Sequence, residues 1–390
     1  MREISNNALN IDGQPMFRII DKVKRLEAQG QDIIHLEIGD PDFDTPDNIK
    51  EAAKRAIDAG EVHYGSSWGE ATFIEAIRET TLRSRGFMPD TDQVLVTPGA
   101  NIVIFYSVFC LSNPGQEILV PDPGFPTYYS AIKMCGAVPI PYPLYAKNGF
   151  RLRVGDIEPL ITDKTRLLII NSPQNPTGAV TEAEALEEIY DLAVRHDLYI
   201  YSDEIYARMV YHGGENFFSI ASLDRCHERV ILSNGFSKAF AMTGWRLGAI
   251  IAPKTVAERM MMLLQTTSSC VPAFVQKGGL EAITGNQNTV RKMIVEYNHR
   301  RELLVNGLNA IPGISCHMPG GAFYAFPDIT SFGMSSNEFA NFILEKAGVA
   351  LLPGTNFGKQ GEGFVRLCYA SSLENIKEAL ERIKRACHDL

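Results

Sequence analysis

The middle of the chain alternates short, almost wholly apolar runs with longer amphipathic stretches. Residues 93–96, 117–120, 166–170, 198–202, 230–232 and 247–252 read as strands. Several lack polar alternation, the pattern of strands whose two faces are both covered in a parallel sheet. Helices fit between them. The 181–196 stretch carries Leu186, Ile189, Tyr190 and Ala193 on one face. Thr181, with Glu184 three residues on, predicts a capping box at its start. This rhythm predicts an α/β fold: a large domain over residues 46–285 with a mostly parallel sheet flanked by helices.

Beyond about residue 286 the rhythm changes. A long helical pattern at 289–308 leads to Gly313, a short β segment at 322–326, and helices at 337–347 and 373–386. These predict a smaller α+β domain over 286–390. Residues 1–45 read as an N-terminal arm, with a helix at 17–29 that packs with the smaller domain. No internal repeat or low-complexity segment interrupts the chain.

Composition narrows the function classes. The 390 residues are 45% hydrophobic and 21% charged, ordinary for a folded globular protein. Net charge is −9, with no basic run, so no nucleic-acid partner is expected. The longest apolar run, 102–111, is interrupted by Ser107 and is far below the ~20 residues of a membrane span. Residues 1–7 lack the apolar core of a signal peptide, so a cytoplasmic location is expected. Seven scattered cysteines without a CxxC describe neither a disulfide framework nor a zinc site, and no metal is expected.

In open α/β sheets, ligands sit beyond the carboxyl ends of strands. After the 93–96 strand come Gly99, Ala100 and Asn101, then an apolar helix. A glycine turn at a helix start offers free N–H groups and suits phosphate, although such a turn alone also occurs without a ligand. After 198–202 comes Asp203. A buried carboxylate there can hold a cationic nitrogen protonated, or it can merely cap the following turn. After 230–232 comes Gly235-Phe236-Ser237-Lys238, with Trp245-Arg246 further on. A desolvated lysine in a small-residue loop becomes a nucleophilic amine, whereas most lysines are solvated. Arg246 can clamp a phosphate or form a surface ion pair. A phosphate, a carbonyl and a basic ring nitrogen in one ligand describe pyridoxal phosphate.

The run 235–248, from Gly235 through Lys238 to Trp245, Arg246 and Gly248, resembles the lysine-attachment signature of the class I/II aminotransferases. The resemblance extends over almost the whole chain. It takes in Ile38-Gly39-Asp40-Pro41-Asp42-Phe43, Tyr64 to Gly69, and Pro123-Gly124-Phe125-Pro126-Thr127-Tyr128. It continues through Asn171-Ser172-Pro173-Gln174-Asn175-Pro176-Thr177-Gly178, Asp203 with Tyr206, Pro319-Gly320-Gly321-Ala322-Phe323-Tyr324 and Pro353-Gly354 to Arg366.

The resemblance implies fold type I of the pyridoxal-phosphate transferases and amino-group transfer between an L-amino acid and a 2-oxo acid. It implies that Lys238 forms the Schiff base and serves as the base for the α-proton. Asp203 would pair with the ring nitrogen, Tyr206 and Asn175 with O3′, and Phe125 would stack on the ring. Arg246 and the backbone of Gly99, Ala100 and Asn101 would hold the phosphate. Tyr64 would reach the phosphate of a neighbouring subunit, which implies a homodimer with shared sites. Arg366, Asn175 and the backbone of Gly39 would bind the substrate carboxylate. A β-lyase on the same scaffold is the alternative reading.

The chain also departs from the family pattern. Many relatives carry serine where this chain has Gly235, so Ser237 is the expected phosphate hydroxyl. Aspartate-specific relatives often carry lysine at Asn101, which weakens a dicarboxylic preference without excluding it, and Arg18 is a candidate for a distal carboxylate. The 354–359 segment superficially resembles a P-loop. It has three intervening residues instead of four and Gln360 in place of Ser or Thr, and reads as a plain loop.

Overall fold

The computed structural model describes residues 4–9, 11, 13, 16–211 and 217–388. Seven strands form the main sheet: β1 (Val94–Thr97), β2 (Glu117–Asp122), β3 (Val138–Pro143), β4 (Thr165–Asn171), β5 (Tyr199–Asp203), β6 (Val230–Gly235) and β7 (Gly248–Ile251). Their order is β1-β7-β6-β5-β4-β2-β3. All neighbours run parallel except β7, which is antiparallel to both β1 and β6. Successive residues feed opposite cores. Val94, Val96, Leu168, Ile170, Val230 and Leu232 enter one. Leu95, Leu167, Ile169 and Ile231 enter the other. Period-two alternation is present in space, but the sequence does not display it, because both sides are apolar.

Six of these strands match the sequence expectation to within a few residues. The seventh, β3, was not anticipated. Its sequence is VPIPYP, and proline normally argues against a strand. It forms because it lies at the edge. Val138 N donates to Gln116 O and Leu144 N to Asp122 O, so the even-numbered positions face β2. The prolines at 139, 141 and 143 then occupy the alternating positions whose missing N–H would face the open side.

One predicted cap is wrong. The helix expected at 181–196 spans Ala183–Arg195, its N-cap is Glu182, and no side chain caps it. Thr181 instead donates its backbone N–H to Ser172 Oγ at 3.0 Å. The tie to Ser172 takes Thr181 out of the helix start. A capping box does occur at Ser335 and Glu338, which opens the helix Ser336–Ala347.

A second, antiparallel sheet joins Leu352–Pro353, Val365–Cys368 and Tyr324–Ala325 in that order. Beside it, Ile34–His35 pairs in parallel with Val349–Ala350. The N-terminal helix Met16–Ala28 lies against this part through Val23, which clusters with Leu344 and Ala350, and through Lys22, which bridges to Glu345 at 2.9 Å. Cys368 N then donates to Leu36 O at 2.7 Å. That contact steers residues 37–40 over the carboxyl ends of the main sheet. The seven cysteines are free. No helix of the described residues is long and apolar enough to cross a membrane.

Candidate active site

A cavity of about 380 Å³ opens at the carboxyl ends of β4, β5 and β6. Its lining includes Gly39, Ala100, Asn101, Phe125, Asn175, Asp203, Tyr206, Ser237, Lys238, Arg246 and Arg366. These come from segments far apart in sequence, brought together by the parallel register. Asn171 pairs with Asp203, and Asp203 with Ser233, at the ends of three adjacent strands.

Lys238 follows β6. Its Nζ donates to Gly39 O at 2.5 Å and lies 5.6 Å from the Phe323 ring centroid. Burial pulls its ammonium down to about 8, and Arg366 and Arg246 push in the same direction against an opposing Asp40. A larger share of neutral amine at neutral pH follows, as nucleophilic and general-base chemistry requires.

Asp203 ends β5 and is buried, with no ion-pair partner among the described residues. Tyr128 Oη donates to its Oδ2 at 2.8 Å, and Ile205 N donates to Oδ1 at 3.3 Å. Burial pushes this carboxyl up to about 6 although both hydrogen bonds favour the charged form. A cationic nitrogen beside it would reverse that shift.

Arg366 enters from the smaller sheet and is fully buried. Nη1 donates to Asn175 Oδ1 at 3.0 Å and Nη2 to Glu37 O at 2.5 Å. The guanidinium lies 4.5 Å from the Tyr324 ring centroid and 4.9 Å from that of Phe357. Its Nε has no partner, and no carboxylate of the described residues pairs with it. A buried cation held only by neutral groups is costly, and an incoming carboxylate would relieve the cost.

The helix Asn101–Leu111 begins beside β1 after a left-handed Gly99, at φ +87°. Its N-cap is Ala100, and no side chain caps it, so its first amides are left for a ligand. A Cβ on Gly99 would lie 2.5 Å from Arg246 Nη2, so glycine is what lets that guanidinium reach the helix start. Arg246 Nη1 donates to Thr243 O at 2.8 Å. An uncapped helix start beside an exposed arginine, and a cation-free carboxylate across from them, fit a ligand with a phosphate at one end and a basic nitrogen at the other.

The same geometry explains the glycine at position 235. A Cβ there would lie 2.1 Å from Ile205 Cδ1. Ile205 fills the space that a serine side chain would need, while Ser237 lines the cavity instead.

With this geometry in view, comparison with known proteins is decisive. The family model for aminotransferase class I and II matches residues 31–383. The chain belongs to the class I and II aminotransferases. It is a transaminase of the pyridoxal-phosphate-dependent type. It is 41% identical over 373 residues to an aspartate aminotransferase of Pyrococcus abyssi, covering 95% of each chain. It is 44% identical over 362 residues to aromatic-amino-acid aminotransferase 2 of Thermococcus litoralis, covering 92% of each. The solved structure of the aspartate aminotransferase from Rhizobium meliloti superposes with a TM-score of 0.95 at 32% identity, covering 100% of this chain and 99% of that one. The α/β fold is therefore that of the pyridoxal-phosphate-dependent aminotransferases.

Within this aminotransferase, Tyr64 is not brought into the cavity. It is 87% exposed. The side chain of Arg18 lies outside the described residues. Sequence reasoning gave no role to Tyr128 or Tyr324, although both stand in motifs it singled out. Tyr128 reaches Asp203, and Tyr324 Oη sits 2.7 Å from Tyr206 Oη. Both aromatics precede or follow recognisable turns, but their partners lie 75 and 118 residues away. The P-loop-like segment is a pair of 3₁₀ turns, and its Lys359 and Gln360 N–H groups hold the Asp122 carboxylate at 3.1 and 2.9 Å.

Proposed function

We propose that the cavity binds pyridoxal 5′-phosphate and an L-amino acid, and that Lys238 is the amine that meets the cofactor aldehyde. The observation that carries this reading is the pairing of a desolvated Lys238 with a cation-free, buried Asp203 across one cavity. When bound, the cofactor ring supplies the sink for the electron pair left when the α-proton departs.

The chain's own residues do the rest. Arg246 and the amides of Gly99, Ala100 and Asn101 hold the phosphate, with Ser237 as a further donor. Asp203 keeps a proton on the ring nitrogen, and Tyr128 keeps Asp203 charged and oriented. Tyr206 and Asn175 hold O3′, and Phe125 covers the ring face. Arg366 clamps the substrate carboxylate beside Asn175 and Gly39. Lys238 Nζ, released from Gly39 O, takes the α-proton and returns it on the other side of the transfer.

Asp203 ends a strand of the main sheet and Lys238 follows another, whereas Arg366 stands on the smaller one. A functional division at residues 45/46 and 285/286 therefore lets the smaller body close on the substrate and exclude water. The exposure of Tyr64 supports a homodimer in which it completes the partner's phosphate site. A cytoplasmic setting suits seven free cysteines. Ile20, Ile38 and Asn101 line the cavity, and none is a cation. They favour a donor with an apolar or aromatic side chain over aspartate.

Absorbance tests the reading. The purified protein should be yellow, and a suitable amino acid should bleach it. Lys238→Ala should lose the colour of the lysine-linked form and slow amino transfer by about 10²–10⁴-fold. A protein that stays colourless after pyridoxal phosphate is added would sink the proposal. Single-turnover bleaching across a panel of amino acids ranks the donors, and fastest bleaching by aspartate would overturn the apolar preference.

A further inference from the structure

On the far side of the β5 end lies a larger cavity, of about 860 Å³. Of the residues lining the two cavities, only Ile205 is shared. Four arginines line the larger cavity: Arg83, Arg85, Arg208 and Arg291. They come from the helix Ala71–Arg85, the turn after Asp203 and the helix Asn288–Asn309. Glu204 is the one acidic residue in its described lining, and it is fully engaged. Its Oε2 accepts from Arg85 Nη2 and Nε at 2.7 and 3.0 Å, and its Oε1 from Ser219 and Ser202.

That arrangement neutralises Arg85, while Arg208 and Arg291 have no carboxylate partner among the described residues. Arg83 donates from Nη2 to Thr80 Oγ1 at 3.0 Å and has a loose, exposed ion pair with Glu79 at 3.6 Å. Arg291 meets the neutral Asn288 at 3.3 Å. Arg208 lies 5.2 Å from the Phe240 ring centroid, and no carboxylate of the described residues pairs with it. Arg208 is exposed, and the charges of Arg85 and Arg83 lie close enough to disfavour its own. Between the arginines the wall mixes apolar Ile77, Phe236 and Phe240 with polar Thr80, Ser84 and Asn234. In a chain of net charge −9, guanidinium groups around one hollow with no carboxylate partner among the described residues build a local positive field.

We propose that this second cavity binds a compact organic polyanion, two or more phosphate or carboxylate charges on an apolar frame, held by Arg208, Arg291 and Arg83. Guanidinium forks match both oxyanion types.

The test uses the cofactor-loaded enzyme, so that the phosphate cup at Gly99 is already filled. Calorimetric titration at low ionic strength with pyrophosphate in one arm and citrate in the other reports which oxyanion the site takes. Saturable binding of at least one is expected, at least tenfold weaker in Arg208→Gln and in Arg291→Gln. Arg291 is exposed on its helix, so its substitution leaves folding intact, and amino transfer without added anion should be unchanged in that variant. Absence of binding in both arms, or equal affinity in wild type and Arg291→Gln, overturns the proposal.

Discussion

Asp203 and Glu204 are neighbours in the chain and opposites in circumstance. Adjacent residues at a strand end point to opposite faces of the sheet, so each carboxylate looks into a different cavity. Both are almost completely buried. Glu204 meets Arg85 from its own chain, and the pair is internally neutral. Asp203 has only Tyr128 and a backbone amide, and burial raises its carboxyl. One side of the strand is finished by the protein, while the other is held ready for a cation that arrives with a ligand. The contrast separates a structural carboxylate from a chemical one more clearly than burial alone.

Four substitutions break or sharpen this contrast. The largest effect belongs to Asp203→Asn, which keeps the shape and removes the charge. Loss of a buried ionic partner is worth about 3–5 kcal/mol, so kcat/KM should fall by about 10²–10⁴-fold with little change in unfolding temperature. Arg85→Met should do the reverse. It strands Glu204 without its cation and should cost about 3–5 kcal/mol in urea unfolding, with much of that regained in Arg85→Met/Glu204→Gln. If Arg85→Met instead spared stability and removed activity, the division between the two carboxylates would be wrong.

Gly235→Ser tests the wall between the cavities. Its Cβ would collide with Ile205 Cδ1, and overpacking of this kind costs about 1–3 kcal/mol. Ile205→Ala should relieve most of it in the double variant, as measured by thermal unfolding. The mildest effect concerns Lys238 in cofactor-free protein. Its folded value of about 8 lies below the ordinary 10.5, so the unfolded chain holds more protons between those limits. Stability therefore rises with pH across that window and carries the full burial penalty below it. Lys238→Met should be more stable than wild type at pH 7, and the gap should narrow toward pH 10.5 in urea titrations.

Much of this was legible in the chain itself. The apolar runs located β1, β2, β4, β5, β6 and β7, because strands buried on both faces leave a contiguous signature. The lysine motif and the residues after each strand pointed to the cavity, because parallel topology carries strand ends to one edge. What was not legible depends on contacts between distant segments. Nothing local in Tyr128 announces Asp203, and nothing local in Gly235 announces Ile205. Thr181 reads as a cap until Ser172 claims its amide. The proline-rich β3 gives no strand signal until its place at the edge is known.

That edge strand has a consequence beyond the site. A sheet's outermost strand normally offers a row of donors and acceptors to any stray polypeptide. Prolines at every second position remove the donors from the exposed rim, so a foreign strand finds no ladder to join. At this rim the sheet thus ends its own growth, and crowding many copies together gives no template to extend from that side.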